Sequence, residues 1–141
     1  MDRRSWLLIF GVLFFVAPIL TGCSEEEAAP TPVASSISPE DLKRLVDENA
    51  EILILDVRSR DEHANGHIAG AVNIPHTEIA ARLEEVAQYR DKHVIVCCWA
   101  GGRADIAKDV LRNAGFSNLL DLRGHMAAWE RLGYPIERGT S

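Results

Sequence analysis

An α/β domain with a mainly parallel sheet is the fold this sequence predicts, and two observations carry that reading. Short continuous apolar runs such as "EILILDV" and "HVIVC" have the character of strands buried on both faces, the hallmark of parallel sheets. Between them lie amphipathic stretches long enough to be crossover helices, so strand and helix alternate along the chain. The alternation occupies about 100 residues from Ser36 onward, enough for one domain with one core. No internal repeat interrupts it.

The elements follow in order. "SPEDLKRLVDENA" opens with Ser38 as helix N-cap, Pro39 at the first helical position and Asp41 three residues after the cap. Leu42, Leu45 and Val46 then recur at helical spacing. "EILILDV" is a buried strand, and "RSRDEHANGHIAG", dense in His, Gly and Asn, reads as a loop before the short apolar piece "AVNIP". "TEIAARLEEVAQY" reads as an amphipathic helix capped by Thr77. "HVIVC" is the next strand, and "RADIAKDVLRNAG" a helix stopped by Gly115. "NLLDL" is the last strand and "HMAAWERLG" the last helix.

Ahead of the domain, Arg3 and Arg4 precede an apolar stretch from Trp6 to Leu20 and then small residues, the layout of a secretory leader. Its ending, Leu20-Thr21-Gly22-Cys23, resembles the lipobox of bacterial lipoproteins, which are cut before the cysteine and lipidated on it. The expected organisation is a leader over 1–22, lipid on Cys23 with an acidic Pro/Ala/Ser tether over 23–35, the domain over 36–138 and a tail over 139–141. The resemblance implies an exported, membrane-anchored protein. Ser24, where an aspartate would signal retention, points to the outer membrane on its periplasmic side.

Loss of the leader takes away Arg3, Arg4 and Asp2, leaving 13 basic and 20 acidic residues and a net charge of −7. Attraction to nucleic acid or to an anionic lipid surface by charge is thereby excluded. A monomer is expected.

The chemistry concentrates in "VIVCCWAGGRADIAKDVL", where Cys97 and Cys98 end an apolar run ahead of Trp99, Ala100, Gly101, Gly102 and Arg103. A disulfide between neighbours is disfavoured. Adjacent α-carbons lie about 3.8 Å apart, below the roughly 4.4 Å that ordinary disulfides need. A metal site lacks ligands at useful spacing. His63 and His67 are four apart, but Asn65 and Gly66 interrupt any helix joining them, and His76, His93 and His125 are scattered. These histidines read as surface or loop hydrogen-bonding groups, and no metal or other cofactor is expected.

A nucleophile accounts for more residues together. Two glycines ahead of a helix let backbone N–H groups turn inward as an anion-binding nest, to which the helix adds its positive end. Such surroundings, with an arginine nearby, favour thiolate over thiol. Side chains alternate along a strand, so Cys97 and Cys98 face opposite ways and only one faces the nest. Counted from Cys98 the loop is Cys-x4-Arg; counted from Cys97 it is Cys-x5-Arg. The first spacing resembles the rhodanese sulfurtransferases, the second the cysteine phosphatases.

Three ordered segments carry the resemblance to the rhodanese family: "LILDVRSRDEHANGHIAGAVNIP", "VIVCCWAGGRADIA" and "AGFSNLLDLRGHMAAWERLGYPI". It implies a single rhodanese-like α/β domain with a mainly parallel five-stranded sheet and helices on both faces. It also implies that Cys98 is the catalytic residue, taking a sulfane sulfur from thiosulfate or another persulfide and passing it to cyanide or a thiol, a protein thiol included. On the same basis the N–H groups from Trp99 through Arg103 bind the charged sulfur, and Arg103 stabilises it from behind. Asp56 and Arg58 fix the neighbouring loop by ion pairing, Glu62, His67 and Gly70 are scaffold, and Cys97 is a small buried hydrophobe.

Two departures stand out. Trp99 and Ala100 occupy positions where thiosulfate-preferring members often have a basic or hydroxyl residue. In "GHMAAW", His125 replaces the family's second glycine and is expected at the pocket rim or in solvent. The alternatives to a sulfurtransferase are a rhodanese-like binding module without activity and a cysteine phosphatase.

Overall fold

The structure, a computed structural model, describes residues 35–139. The leader over 1–22, Cys23 and the tether up to residue 34 lie outside the described residues, as does the end of the tail. Five strands, β1 (Ser36–Ile37), β2 (Leu53–Asp56), β3 (Val72–Asn73), β4 (Val94–Cys97) and β5 (Leu119–Leu122), form one sheet in the order β1-β5-β4-β2-β3. Every pairing is parallel. The helices are α1 (Pro39–Asp47), α2 (Arg60–Asn65), α3 (Gly102–Asn113) and α4 (His125–Arg131).

Alternation along the two central strands divides the interior in two. Leu53, Leu55, Val94, Val96 and Cys98 face one way and pack with Ala104, Ala107 and Leu111 of α3 and with Ile79 and Val86. Ile54, Ile95 and Cys97 face the other way, against Leu42 of α1 and Met126 and Trp129 of α4. Helices therefore cover both faces, which is why β2 and β4 carry no polar alternation before Asp56.

The chain leaves β2 toward β3 and leaves β4 toward β5, so the loops beyond these neighbouring strands diverge. That topological switch opens a crevice at their carboxyl ends. Asp56 and Cys97, the last residues of the two strands, lie in register across it.

The expected first helix is present, with Asp41 N–H donating to Ser38 Oγ at 3.0 Å. Gly115 (φ +88°) ends α3, its N–H reaching Arg112 O at 3.0 Å. Two expectations are corrected. The segment after β2 is not all loop: Ser59 and Glu62 form a reciprocal capping box that starts α2. The segment 77–89 is not an α-helix capped by Thr77 but two 3₁₀ turns, Ile79–Ala81 and Leu83–Tyr89, broken at Arg82 (φ −118°, ψ 18°). Its apolar residues still reach the core, because Ile79, Leu83 and Val86 need only recur about once per turn to do so.

Candidate active site

Cys98 is the first residue beyond β4 and is almost fully buried. Its Sγ accepts the Gly101 N–H at 3.0 Å, so the loop curls back on its own sulfur. Gly101 has φ +118°, a conformation that side chains rarely adopt, and a Cβ there would stand 3.0 Å from His125 Nε2. Glycine is thus required twice at that position. The Asp105 N–H closes the first turn of α3 onto Gly101 O at 3.0 Å, while α4 holds the other flank of the loop. There Met126 and Ala127 N–H groups donate to Cys98 O (3.0 Å) and Trp99 O (3.3 Å).

Cys97 is wholly buried on the opposite face, where desolvation, reinforced by the charge of Asp56, pushes its thiol well above the ordinary range. It stays a neutral thiol.

Asp56 and Arg58 form the expected ion pair, and both are buried. Arg58 Nε lies 3.0 Å from both carboxylate oxygens, and Nη2 reaches Oδ2 at 2.5 Å and Gly66 O at 2.7 Å. Asn73 Nδ2 then donates to the carbonyls of Asp56 (2.9 Å) and Arg58 (3.0 Å), pinning the loop to β3. Burial opposes the charge on Arg58, but the carboxylate outweighs it and raises its pKa.

Arg103 does not point its guanidinium at the sulfur. Nη1 and Nη2 grip Glu62 Oε2 (2.6 Å) and Oε1 (2.8 Å), tying α3 to α2. Arg103, opposed by partial burial and helped by Ser59, brings the Glu62 carboxyl down to about 2. Glu62 serves both the capping box of α2 and Arg103, a partner that its sequence neighbours do not announce. Beside this pair lies a cleft of about 400 Å³ lined by Arg58, Glu62, Asn65, Gly66, Trp99 and Glu130. Trp99 is exposed at its edge, Ala100 follows it and is exposed too, and Gly102 begins α3 with open space around it.

Three of the histidines are buried where the surface was expected. His125 is 5% exposed, not in solvent: its Nδ1 faces the Cys98 N–H at 3.4 Å and its Nε2 faces Asp121 Oδ2 at 3.4 Å. Asp121 sits four residues before it, the one signal in the sequence that could have announced this contact. His63 and His67 are also buried and stack with ring centroids 3.7 Å apart. They satisfy the carbonyls of Ala71 (3.3 Å) and His63 (2.8 Å). Gly70, at φ +74°, supplies the turn before β3.

A family model described as the rhodanese-like domain matches residues 38–132. The chain belongs to the rhodanese-like family. The matched span of this rhodanese-like domain runs from the cap of α1 past the end of α4 and includes the whole cleft and the 98–103 loop. A protein named sulfurtransferase from Allochromatium vinosum is 33% identical over 104 residues, covering 74% of this chain and 95% of the relative. The chloroplastic thiosulfate sulfurtransferase 16 of Arabidopsis thaliana is 34% identical over 93 residues, with 59% and 78% covered. The crystal structure of a rhodanese-related protein from Thermoplasma volcanium matches with a TM-score of 0.63 at 32% identity, over 72% of this chain and 96% of that one.

Proposed function

We propose that this rhodanese-like chain is a sulfurtransferase that carries a sulfane sulfur as a persulfide on Cys98. The observation that supports it best is the Gly101 N–H donated to Cys98 Sγ at 3.0 Å from a loop curled at the mouth of the crevice. That donor is placed to hold the sulfur as charge moves onto and off it during transfer. The Cys98 thiolate attacks the donor's outer sulfur, the Sγ–S bond forms as the donor S–S bond breaks, and sulfite or a thiolate leaves with the electron pair. An acceptor thiolate or cyanide then takes the outer sulfur and returns Cys98 as thiolate. No net oxidation occurs.

On this reading Gly101, with its neighbours Trp99, Ala100 and Gly102, forms the sulfur-binding loop. Arg103 holds that loop to Glu62, and Asp56 and Arg58 fix the facing wall. The presence of the cysteine in an intact loop favours catalysis over a binding module. The phosphatase count fits poorly, since Cys97 would have to open the loop while it lies within β4, buried against α4.

The donor is better served by a persulfide of low charge than by thiosulfate. Among the described residues at the cleft, Arg58 and Arg103 are both matched by carboxylates, and Glu130 adds a further negative charge. Nothing there offsets a dianion's sulfonate end. We also propose, from the leader and Cys23, that the domain is tethered to a membrane outside the cytoplasm.

A side-by-side kinetic comparison of thiosulfate, a low-molecular-weight persulfide and an aryl phosphate tests the assignment. Sulfur transfer from both sulfur donors, with a higher kcat/KM for the persulfide, is expected. Hydrolysis of the phosphate without sulfur transfer would overturn it.

A further inference from the structure

His125 opens α4 with φ +50°, a left-handed conformation that is uncommon for residues other than glycine. A strained backbone held in place by its surroundings points to a task for the side chain. The ring lies against the sulfur-binding loop beside Cys98 and Gly101. Nδ1 faces the Cys98 N–H at 3.4 Å, and Nε2 lies 3.0 Å from the place a Cβ on Gly101 would take.

The tautomer follows from these neighbours. The Cys98 N–H can only donate, so Nδ1 must carry a lone pair. The proton then sits on Nε2, directed at Asp121 Oδ2 at 3.4 Å. Asp121 is in turn paired with Lys108 Nζ at 2.8 Å, and Lys108 reaches Asp105 at 3.0 Å. The charged and titratable groups acting on the ring are therefore Asp121 from β5 and Lys108 and Asp105 from α3.

We infer that neutral His125 is a positioning residue: by accepting the Cys98 N–H and filling the space beneath Gly101, it holds the Gly101 N–H on the sulfur. The inference rests on the proposed role of Cys98. A proton added at Nδ1 sets two donors against each other and must turn the ring or lift the loop. Burial, offset in part by Asp121, keeps the ring below the usual histidine range, so the brace is intact at neutral pH.

The full chain can be tested with His125→Gly and His125→Asn, both suited to a left-handed backbone. Asparagine keeps an acceptor and loses the titration. At about pH 8, persulfide formation should fall about tenfold in His125→Gly and stay within about threefold in His125→Asn, the scale of one hydrogen bond. On acidification through the ring's own titration the wild type should fall behind His125→Asn by about threefold or more. Independently of any sulfur transfer, the amide resonances of Cys98 and Gly101 should titrate with the His125 ring in the wild type and lose that component in His125→Asn. Wild-type rates in His125→Gly, a constant ratio, or amides indifferent to the ring's titration each overturn the inference. Amides that follow the ring in a chain that forms no persulfide would uphold the brace and defeat the sulfurtransferase reading instead.

Discussion

Arg103 and Glu62, 41 residues apart in sequence, meet in a two-pronged ion pair with N–O distances of 2.6 and 2.8 Å. This planar fork-to-carboxylate geometry occupies both terminal nitrogens of Arg103, so the guanidinium holds the loop in place and has little left for a substrate anion. The position of Arg103 at the start of α3 suggests an anion binder. Its partner makes it a clamp.

The donor prediction follows from that pairing. Ala100→Lys adds an unmatched cation beside Trp99 at the exposed edge of the loop, and should lower KM for thiosulfate about three- to tenfold at physiological salt. KM for an uncharged persulfide should stay where it is. Equal effects on both donors, or none on thiosulfate, would show that charge does not set the preference.

The buried pair Asp56–Arg58 sets the stability of the facing wall. Arg58→Met leaves Asp56 as an uncompensated buried charge and should cost about 3–5 kcal/mol of unfolding free energy in urea titrations. Adding Asp56→Asn removes that charge and should recover a large part of the loss. A single variant within about 1 kcal/mol of wild type would show that the pair is not buried in solution.

Acid should weaken the fold in two stages. His63 and His125 are held below the ordinary 6.5, chiefly by burial, so the unfolded chain binds more protons than the native one below that value. Their contribution is whole above 6.5 and is lost as pH falls toward the lowered native values. Glu62, brought from 4.5 to about 2, contributes fully above 4.5 and loses its share as pH drops through about 2. The urea midpoint should therefore decline between about pH 7 and pH 5, and less steeply in His63→Asn. A flat midpoint over that range would contradict the burial of these rings.

What the sequence made legible was set by local rules. The Ser38-Pro39 start, the stop at Gly115 and the opposite facing of Cys97 and Cys98 each depend on a few adjacent residues, and each appears in the structure. Strand β1 escaped notice because two residues show no period. The helix α2 was announced by Ser59 and Glu62, but His, Gly and Asn nearby read more strongly as loop. In 77–89, spacings of four and three fit either helical period, and only the backbone at Arg82 decides between them. The contacts of Arg103 with Glu62 and of His125 with Cys98 join residues from different elements, and no local pattern encodes them.

The proposed tether has its own test. Cys23→Ser should block processing at Gly22 or release the domain from the membrane, as seen by fractionation of cells. Unchanged processing and membrane retention would remove Cys23 from the account.

The central claim, that the sulfur travels on Cys98, is most directly tested by locating it. After exposure to a persulfide donor, tandem mass spectrometry of the peptide 93–103 should find the added mass of about 32 units on Cys98. It should remain in Cys97→Ser, with most of the activity, and vanish with the activity in Cys98→Ser. Added sulfur on Cys97, or transfer persisting in Cys98→Ser, would contradict the account.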